Sequence, residues 1–429
     1  MMKEVLLILF LIFTIVAKAQ NPVLIGYWHN WNDSSAPYIP LDQIDSRYTI
    51  ICVSFAVPTS ASNMTMQFVP EGVSQSAFIS QIQALQNQGK KVVLSIGGAT
   101  TSISLNNNSN RDAFINSMTA ILNTYGFDGI DIDIEHGNSI LASGTIANPT
   151  SVDCINLIYA INQIKTNYFS FFNRNMMLTF APETAYVQGG MSAYGGIWGG
   201  YLPLLNALRN DLNYVHVQLY NSGSVYGIDG NIYTQGTADF IVALTEALIQ
   251  GFATSGGQFQ GLPANKVVVG LPACSNAAGG GYVNPTVVED ALNYLLGVGP
   301  NPGAYILTQA GGYPNLGGMM TWSINWDKVT TCNTNAFAYA QNYQQIFGAT
   351  LSVPETDIIN SIILSPNPSK DNIILSGIQI QEQYSITNML GQEVQLGIAF
   401  PDESIFIDKL STGLYFITVQ KTILKFIKE

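Results

Sequence analysis

Phe127-Asp128-Gly129-Ile130-Asp131-Ile132-Asp133-Ile134-Glu135 places carboxylates at 131, 133 and 135, alternating with isoleucines at 130, 132 and 134. A β-strand points successive side chains to opposite faces, so the three acids share one face and the isoleucines the other. Isoleucine favours strands, and aspartates with a glycine make a poor helix. Successive acids on such a strand lie roughly 6–7 Å apart and repel one another when ionised. A row of this kind persists where one member is protonated, a metal neutralises it or a substrate uses it. The stretch therefore predicts an active site built on a strand over 129–135. Asp128 has the opposite parity and is assigned a structural role.

Around it, further strands are predicted over 23–28, 48–55, 92–97, 176–181, 214–220, 267–271 and 318–324. Between them apolar residues fall at helical spacing, as in Phe78, Ile79, Ile82 and Leu85, or Phe240, Ile241, Leu244 and Leu248. Eight strands alternating with helices predict an α/β fold, a (β/α)₈ TIM barrel over 22–348. That fold carries its catalytic residues at the C-terminal ends of strands. Here those ends hold Tyr27 and Trp28, Ser95, Asp133 and Glu135, Glu183, Gln218 and Tyr220, and Trp322. Beyond residue 350 short alternating runs are separated by Gly377, Gly391 and Gly413, which predicts a linker over 349–356 and a small β-sandwich over 357–429. That second unit has no cluster of acids, histidines or cysteines that resembles a site.

The chain of 429 residues is 47% hydrophobic and only 10% charged, with a net charge of −12. The acidic balance argues against nucleic acid and anionic membrane as partners, whereas a neutral polymer is indifferent to it. Residues 1–19 have the pattern of a signal peptide: Lys3, an apolar run from Val5 to Val16, and Ala17-Lys18-Ala19. No segment reaches the length of a membrane span. Four cysteines, Cys52, Cys154, Cys274 and Cys332, allow three pairings. A Cys274–Cys332 bond is not favoured by their spacing, and none of the four is expected to be catalytic. Three carboxylates could attract Mg²⁺ or Ca²⁺, yet an oxygen cage needs ligands from elsewhere, and His29, His136 and His216 lack zinc spacing. Neither a metal nor a cofactor is expected.

The residues 128–135 resemble the DGxDxDxE signature of glycoside hydrolase family 18, the chitinases. Ser95-Ile96-Gly97-Gly98 resembles the family's third-strand motif and Gly26-Tyr27-Trp28 its first strand. Gln218-Leu219-Tyr220-Asn221 resembles its sixth strand, and the run from Met320 to Asp327 its eighth. The C-terminal unit resembles a type IX secretion sorting domain through Ser365-Pro366-Asn367-Pro368, the run from Tyr384 to Gly391, Ser411-Thr412-Gly413-Leu414-Tyr415-Phe416-Ile417 and a basic ending.

The resemblance implies a secreted or cell-surface monomer that hydrolyses chitin or N-acetylglucosamine oligosaccharides and meets the type IX machinery through its C-terminal unit. Glu135 would be the general acid, Asp133 would orient the substrate's acetamido group, Asp131 would share a proton with Asp133, and Tyr220 would hold the acetamido carbonyl. Tyr27, Ser95, Gln218, Asn221, Trp322 and Glu183 are the expected substrate-binding set, with Tyr27 and Ser95 on the Asp131 side and Trp322 as the floor. Trp28, Trp31, Trp198 and Trp326 are weighed as further subsites against plain packing. The rival activities are an endo-β-N-acetylglucosaminidase acting on N-glycan cores and a chitin-binding lectin. Retention of Glu135 argues against the lectin, and the absence of tryptophan beyond residue 326 argues against a carbohydrate-binding role for the C-terminal unit.

Overall fold

The computed structural model describes residues 22–135, 140–333, 335–351, 362–378, 380–401, 403–419 and 422–429. The expected signal peptide lies outside them. The apolar runs form eight parallel strands: β1 (Val23–His29), β2 (Ile50–Ser60), β3 (Lys91–Gly97), β4 (Gly129–Asp133), β5 (Met177–Phe180), β6 (Tyr214–Val215), β7 (Val268–Pro272) and β8 (Gly318–Trp322). They pair in the order β7-β8-β1-β2-β3-β4-β5-β6. Parallel bridges at Val215–Val267 and Gln218–Gly270 bring β6 back to β7. The fold is the expected barrel.

Alternation along the strands separates two apolar layers. Val23, Ile25, Tyr27, Ile50, Cys52, Val93 and Met320 pack inside the barrel. Leu24, Trp28, Ile51, Val53, Leu94, Ile130 and Ile132 face outward into a larger core with the helices. Those helices are α1 (Gln75–Asn87), α2 (Asn108–Tyr125), α3 (Val152–Phe172), α4 (Leu202–Ala207), α5 (Ala238–Gln250), α6 (Pro285–Leu295), α7 (Ile324–Lys328) and α8 (Ala338–Leu351). Ser74, Asn107, Ser151 and Thr237 cap four of them, each side chain accepting a backbone N–H of the first turn. The parity of Trp28 excludes it from the cleft: it is fully buried, and its Nε1 donates to the Ile39 carbonyl at 2.7 Å.

Three strands end two or more residues earlier than their apolar runs. β4 stops at Asp133 because Tyr201 takes over the next backbone groups, accepting from Ile134 N and donating to Ile134 O. β6 stops at Val215, after which Gln218 bridges both Glu183 and Gly270. β8 stops at Trp322 because Ser323 caps α7. Asp128 has the structural role that its parity implied. Buried below the barrel, it accepts from Lys91, Arg174, Gln86 and the Val92 backbone.

Cys274 and Cys332 form a disulfide with Cα atoms 5.8 Å apart, against expectation. Their 58-residue separation hides the reason, which is that they follow adjacent strands, β7 and β8. No helix among the described residues is long and apolar enough to cross a membrane.

The chain divides into two compact units between Leu351 and Ser352. Helix α8 runs to Leu351, three residues into the expected linker, whose remainder lies outside the described residues. The C-terminal unit holds β9 (Ile363–Ser365), β10 (Asn372–Ser376), β11 (Glu382–Asn388), β12 (Glu393–Ala399), β13 (Ser404–Phe406), β14 (Gly413–Val419) and β15 (Thr422–Lys428). These make two antiparallel sheets, β9-β10-β13 and β12-β11-β14-β15. Ile373, Leu375 and Ile405 from one and Ile386, Ile417, Val419 and Phe426 from the other share one core, as in a sandwich.

Candidate active site

Register between neighbouring strands assembles the acid row's surroundings. Ser95 is level with Asp131, Gly97 with Asp133, and Asp131 with Thr179. Gly97 and Gly98 both have positive φ, and a Cβ on Gly97 would collide with the Asp133 carbonyl oxygen. The pair of glycines in that motif thus lets β3 pass close under the end of β4.

Asp131 lies inside the barrel, fully buried. Its Oδ2 accepts from Tyr27 Oη at 2.6 Å and Ser95 Oγ at 2.7 Å, and its Oδ1 accepts from Thr179 Oγ1 at 2.6 Å. His216 Nε2 is 3.3 Å from the same Oδ1 but off the hydrogen-bonding line, and neither ring nitrogen has another partner. Burial pushes the Asp131 pKa up, but His216 and the hydroxyl donors outweigh it and hold the group below the ordinary carboxylate value.

Asp133 goes the other way. Burial, then the charges of Glu135 and Asp131, then a hydrogen bond with Glu135 push its pKa well above the ordinary value. The two buried acids are therefore pushed in opposite directions, Asp131 toward the ionised and Asp133 toward the protonated form. In this structure three hydroxyls donate to Asp131, and Asp133 hydrogen-bonds Glu135. Gln218 Nε2, just past β6, fixes the pair, donating to Asp133 Oδ1 at 2.9 Å, Glu135 Oε1 at 2.8 Å and the Ala181 carbonyl at 3.0 Å.

Glu135 opens onto a cleft of about 550 Å³, lined also by Trp31, Phe55, Gln218, Tyr220, Asn221 and Trp322. Trp322 stacks on Phe55 at a centroid distance of 6.0 Å and tilts against Tyr27 at 5.6 Å. Trp31 continues the wall, 6.1 Å from Phe55, backed by His29 at 4.5 Å. Burial, then Glu135 and Asp133, raise the Tyr220 pKa well above its usual value, so its hydroxyl remains a donor. Aromatic faces with a few converging polar groups suit a sugar ring, whose C–H faces are apolar and whose rim is polar.

Other expected site residues fall elsewhere. Tyr27 and Ser95 sit beneath the cleft on Asp131 and do not line it. Asn221 lines it, but its Oδ1 accepts from Gly280 N at 3.1 Å, which ties it to the neighbouring loop. Glu183 occupies the position just before a 3₁₀ turn after β5 and is not a lining residue. Trp198 is exposed away from the cleft, one ring edge against Gly189, and Trp326 is not a lining residue either. In the eighth-strand motif, Asn325 accepts from His29 N at 2.9 Å and Asp327 accepts from Tyr48 Oη at 2.6 Å, so its tail is structural.

Thr179, His216, Phe55, Glu71 and Tyr201 were not anticipated. Strand parity carries a signal for His216, which alternates with Tyr214, Gln218 and Tyr220. Among the described residues, Cys52, Asp131 and His216 place potential ligand atoms within 4.8 Å of one another. They do not suit a metal: burial, then Asp131 and Asp133, keep the Cys52 thiol protonated, and the hydroxyl donors occupy both oxygens of Asp131.

Comparison with known proteins agrees with this geometry. The profile of "Glycosyl hydrolases family 18" matches residues 23–347, and that of "Secretion system C-terminal sorting domain" matches residues 364–429. Chitinase Chi52 of Paenibacillus xylanexedens is 46% identical over 312 residues, covering 72% of this chain and 59% of its own. Chitinase ChiA of Flavobacterium johnsoniae is 32% identical over 400 residues, covering 87% of this chain and 25% of its own. The chain thus spans about three fifths of the first relative's length and a quarter of the second's. A crystal structure of a family 18 chitinase from Chromobacterium violaceum superposes with a TM-score of 0.67 at 37% identity, covering 76% of this chain and 83% of that one. With the family profile spanning residues 23–347 and a family 18 structure sharing the fold at 37% identity, this chain belongs to glycosyl hydrolases family 18.

Proposed function

We propose that the protein is a secreted chitinase that cleaves β-1,4 linkages between N-acetylglucosamine units with retention of anomeric configuration. The observation that carries this reading is Glu135, opening onto an aromatic-walled cleft and hydrogen-bonded to an Asp133 kept protonated by burial. A glycosidic oxygen leaves only when protonated, and Glu135 is the group placed to donate. Family 18 enzymes are exceptions to the two-carboxylate rule, because the substrate assists its own cleavage. The 2-acetamido carbonyl oxygen attacks the anomeric carbon as the bond to the leaving oxygen breaks, which gives an oxazolinium ion. Asp133 passes its proton to Glu135 as Glu135 protonates the leaving oxygen, and the Asp133 carboxylate turns to accept the acetamido N–H and stabilise the developing positive charge. Tyr220 donates to the acetamido oxygen and holds it in line. Asp131, ionised among its donors, keeps the proton on the Asp133–Glu135 pair. Water then opens the ring, with Glu135 as base.

The test is incubation of the purified protein with N-acetylglucosamine oligomers and, separately, a high-mannose glycoprotein. Products are followed by mass spectrometry and the first-formed anomer by NMR. Shortened oligomers with a β-anomeric product are expected. Cleavage of the glycoprotein alone would move the protein to the N-glycan class, and binding without cleavage would make it a lectin.

The match of residues 364–429 to a sorting domain supports export through a type IX system. Deleting 362–429 is expected to leave the protein inside a secreting host, at least about tenfold depleted from the medium. Equal secretion of the deleted and full chains would defeat the sorting role.

A further inference from the structure

We propose that His216 is a positioning residue of this site, whose imidazole edge holds Asp131 ionised and thereby leaves the mobile proton on Asp133 and Glu135. The inference rests on the glycosidase reading above and extends it to a residue that touches neither the cleft nor a substrate. His216 and Asp131 are both fully buried, and Nε2 lies 3.3 Å from Oδ1. An imidazole in a core normally spends its N–H on a hydrogen bond, since an unmet polar group there is costly. Here both ring nitrogens lack a hydrogen-bond partner. Among the described residues, the polar contact of the ring is its 3.3 Å approach to Asp131.

The groups facing His216 come from several strands. Tyr27 of β1 meets its ring edge-on at 5.9 Å. Cys52 of β2 and Asp131 of β4 lie within ligand-like reach of it, and Asp133 follows on β4. Burial raises both Tyr27 and Cys52, so neither competes as an anion. Asp131 is then the one negative group beside the ring. The hydroxyls of Thr179 and Tyr27 also favour the ionised carboxylate, but the interaction with His216 is the largest of the contributions that do so. Without it, two buried acids on one strand face compete for protons on more equal terms, and the proton spreads onto Asp131.

The experiment compares His216→Gln, His216→Asn and His216→Leu with the unaltered protein. Two readouts are taken: the pH profile of kcat/KM on N-acetylglucosamine oligomers, and the thermal midpoint from pH 3 to 7 without substrate. His216→Leu is expected to move the acid limb up by about half a pH unit or more and to lower kcat about tenfold with little change in KM. Glutamine places an amide N–H near the Nε2 position and should restore most of the limb; asparagine reaches only the Nδ1 position and should not. The thermal midpoint should lose its acid-side slope in the same order, since Asp131, with its pKa held down, contributes stability that is lost as pH falls through its folded value. Should the leucine variant not fold, the contrast between glutamine and asparagine decides. Limbs and slopes identical to the unaltered protein in both would overturn the proposal and reduce His216 to packing. An unaltered protein that cleaves no oligomer would count against the glycosidase reading, and the substrate-free slopes would still judge His216.

Discussion

Glu135→Gln is expected to lower kcat on N-acetylglucosamine oligomers by about 10³-fold, within the range usual for loss of a general acid. KM should change less than about threefold, because the walls that hold the sugar, Trp31, Phe55, Tyr220 and Trp322, are untouched. Glutamine has the shape of glutamate and can keep its contact with Gln218, but it has no proton to give to the leaving oxygen. Among the described residues the other carboxylate lining the cleft is Glu71, exposed and outside the acid row, so no substitute stands at Glu135's position. Activity with an added small nucleophile should not return, since the deficit lies in protonating the leaving group. Kinetics on oligomers, with circular dichroism to check the fold, measure the effect. A loss of less than about fivefold would mean that another group is the acid.

Much of this architecture was legible because strand parity is strict. The alternation in residues 129–135 put three acids on one face and three isoleucines on the other, and the fold uses both faces as expected. The same parity separates Tyr27 from Trp28: one faces Asp131 and the other the helical layer. It also places His216 beside Gln218 and Tyr220, although a histidine in an apolar run is no more telling than a valine until its neighbour across the barrel is known. What alternation cannot supply is the partner on another strand. Thr179 is an ordinary strand threonine until register sets it level with Asp131. Phe55 and Trp31 join Trp322 only because β2, the segment after β1 and the end of β8 converge on one rim. The Cys274–Cys332 bond is invisible for the same reason, since adjacency of β7 and β8 is a property of barrel closure and not of spacing. Strand ends were overrun where a side chain, such as Tyr201 on Ile134, replaces the neighbouring strand as hydrogen-bond partner.

The division of labour between Asp131 and Asp133 implies a trade between activity and stability. Asp133→Asn is expected to lower kcat at least about 10²-fold and, at neutral pH, to raise the thermal midpoint by about 2 °C or more. The catalytic loss follows from charge: Asp133 must become an anion as the oxazolinium forms, and an amide cannot. The gain in stability follows from linkage. In the unfolded chain Asp133 ionises near the ordinary carboxylate value, whereas in the fold burial and the charges of Glu135 and Asp131 keep its proton on. As pH rises from that ordinary value through the raised one, the unfolded state is favoured by its freedom to ionise, so the fold loses stability. Asparagine ionises in neither state and escapes that loss. It also keeps the local bonds, with its oxygen accepting from Gln218 as Asp133 Oδ1 does and its amide donating to Glu135. The difference in midpoint should therefore be largest near neutrality and shrink as pH falls below about 4, where the unfolded wild type also becomes protonated. A variant that is inactive but no more stable at pH 7 would mean that Asp133 is already ionised in the resting site. The buried proton would then belong to Asp131, and the order of charges along the acid row would be reversed.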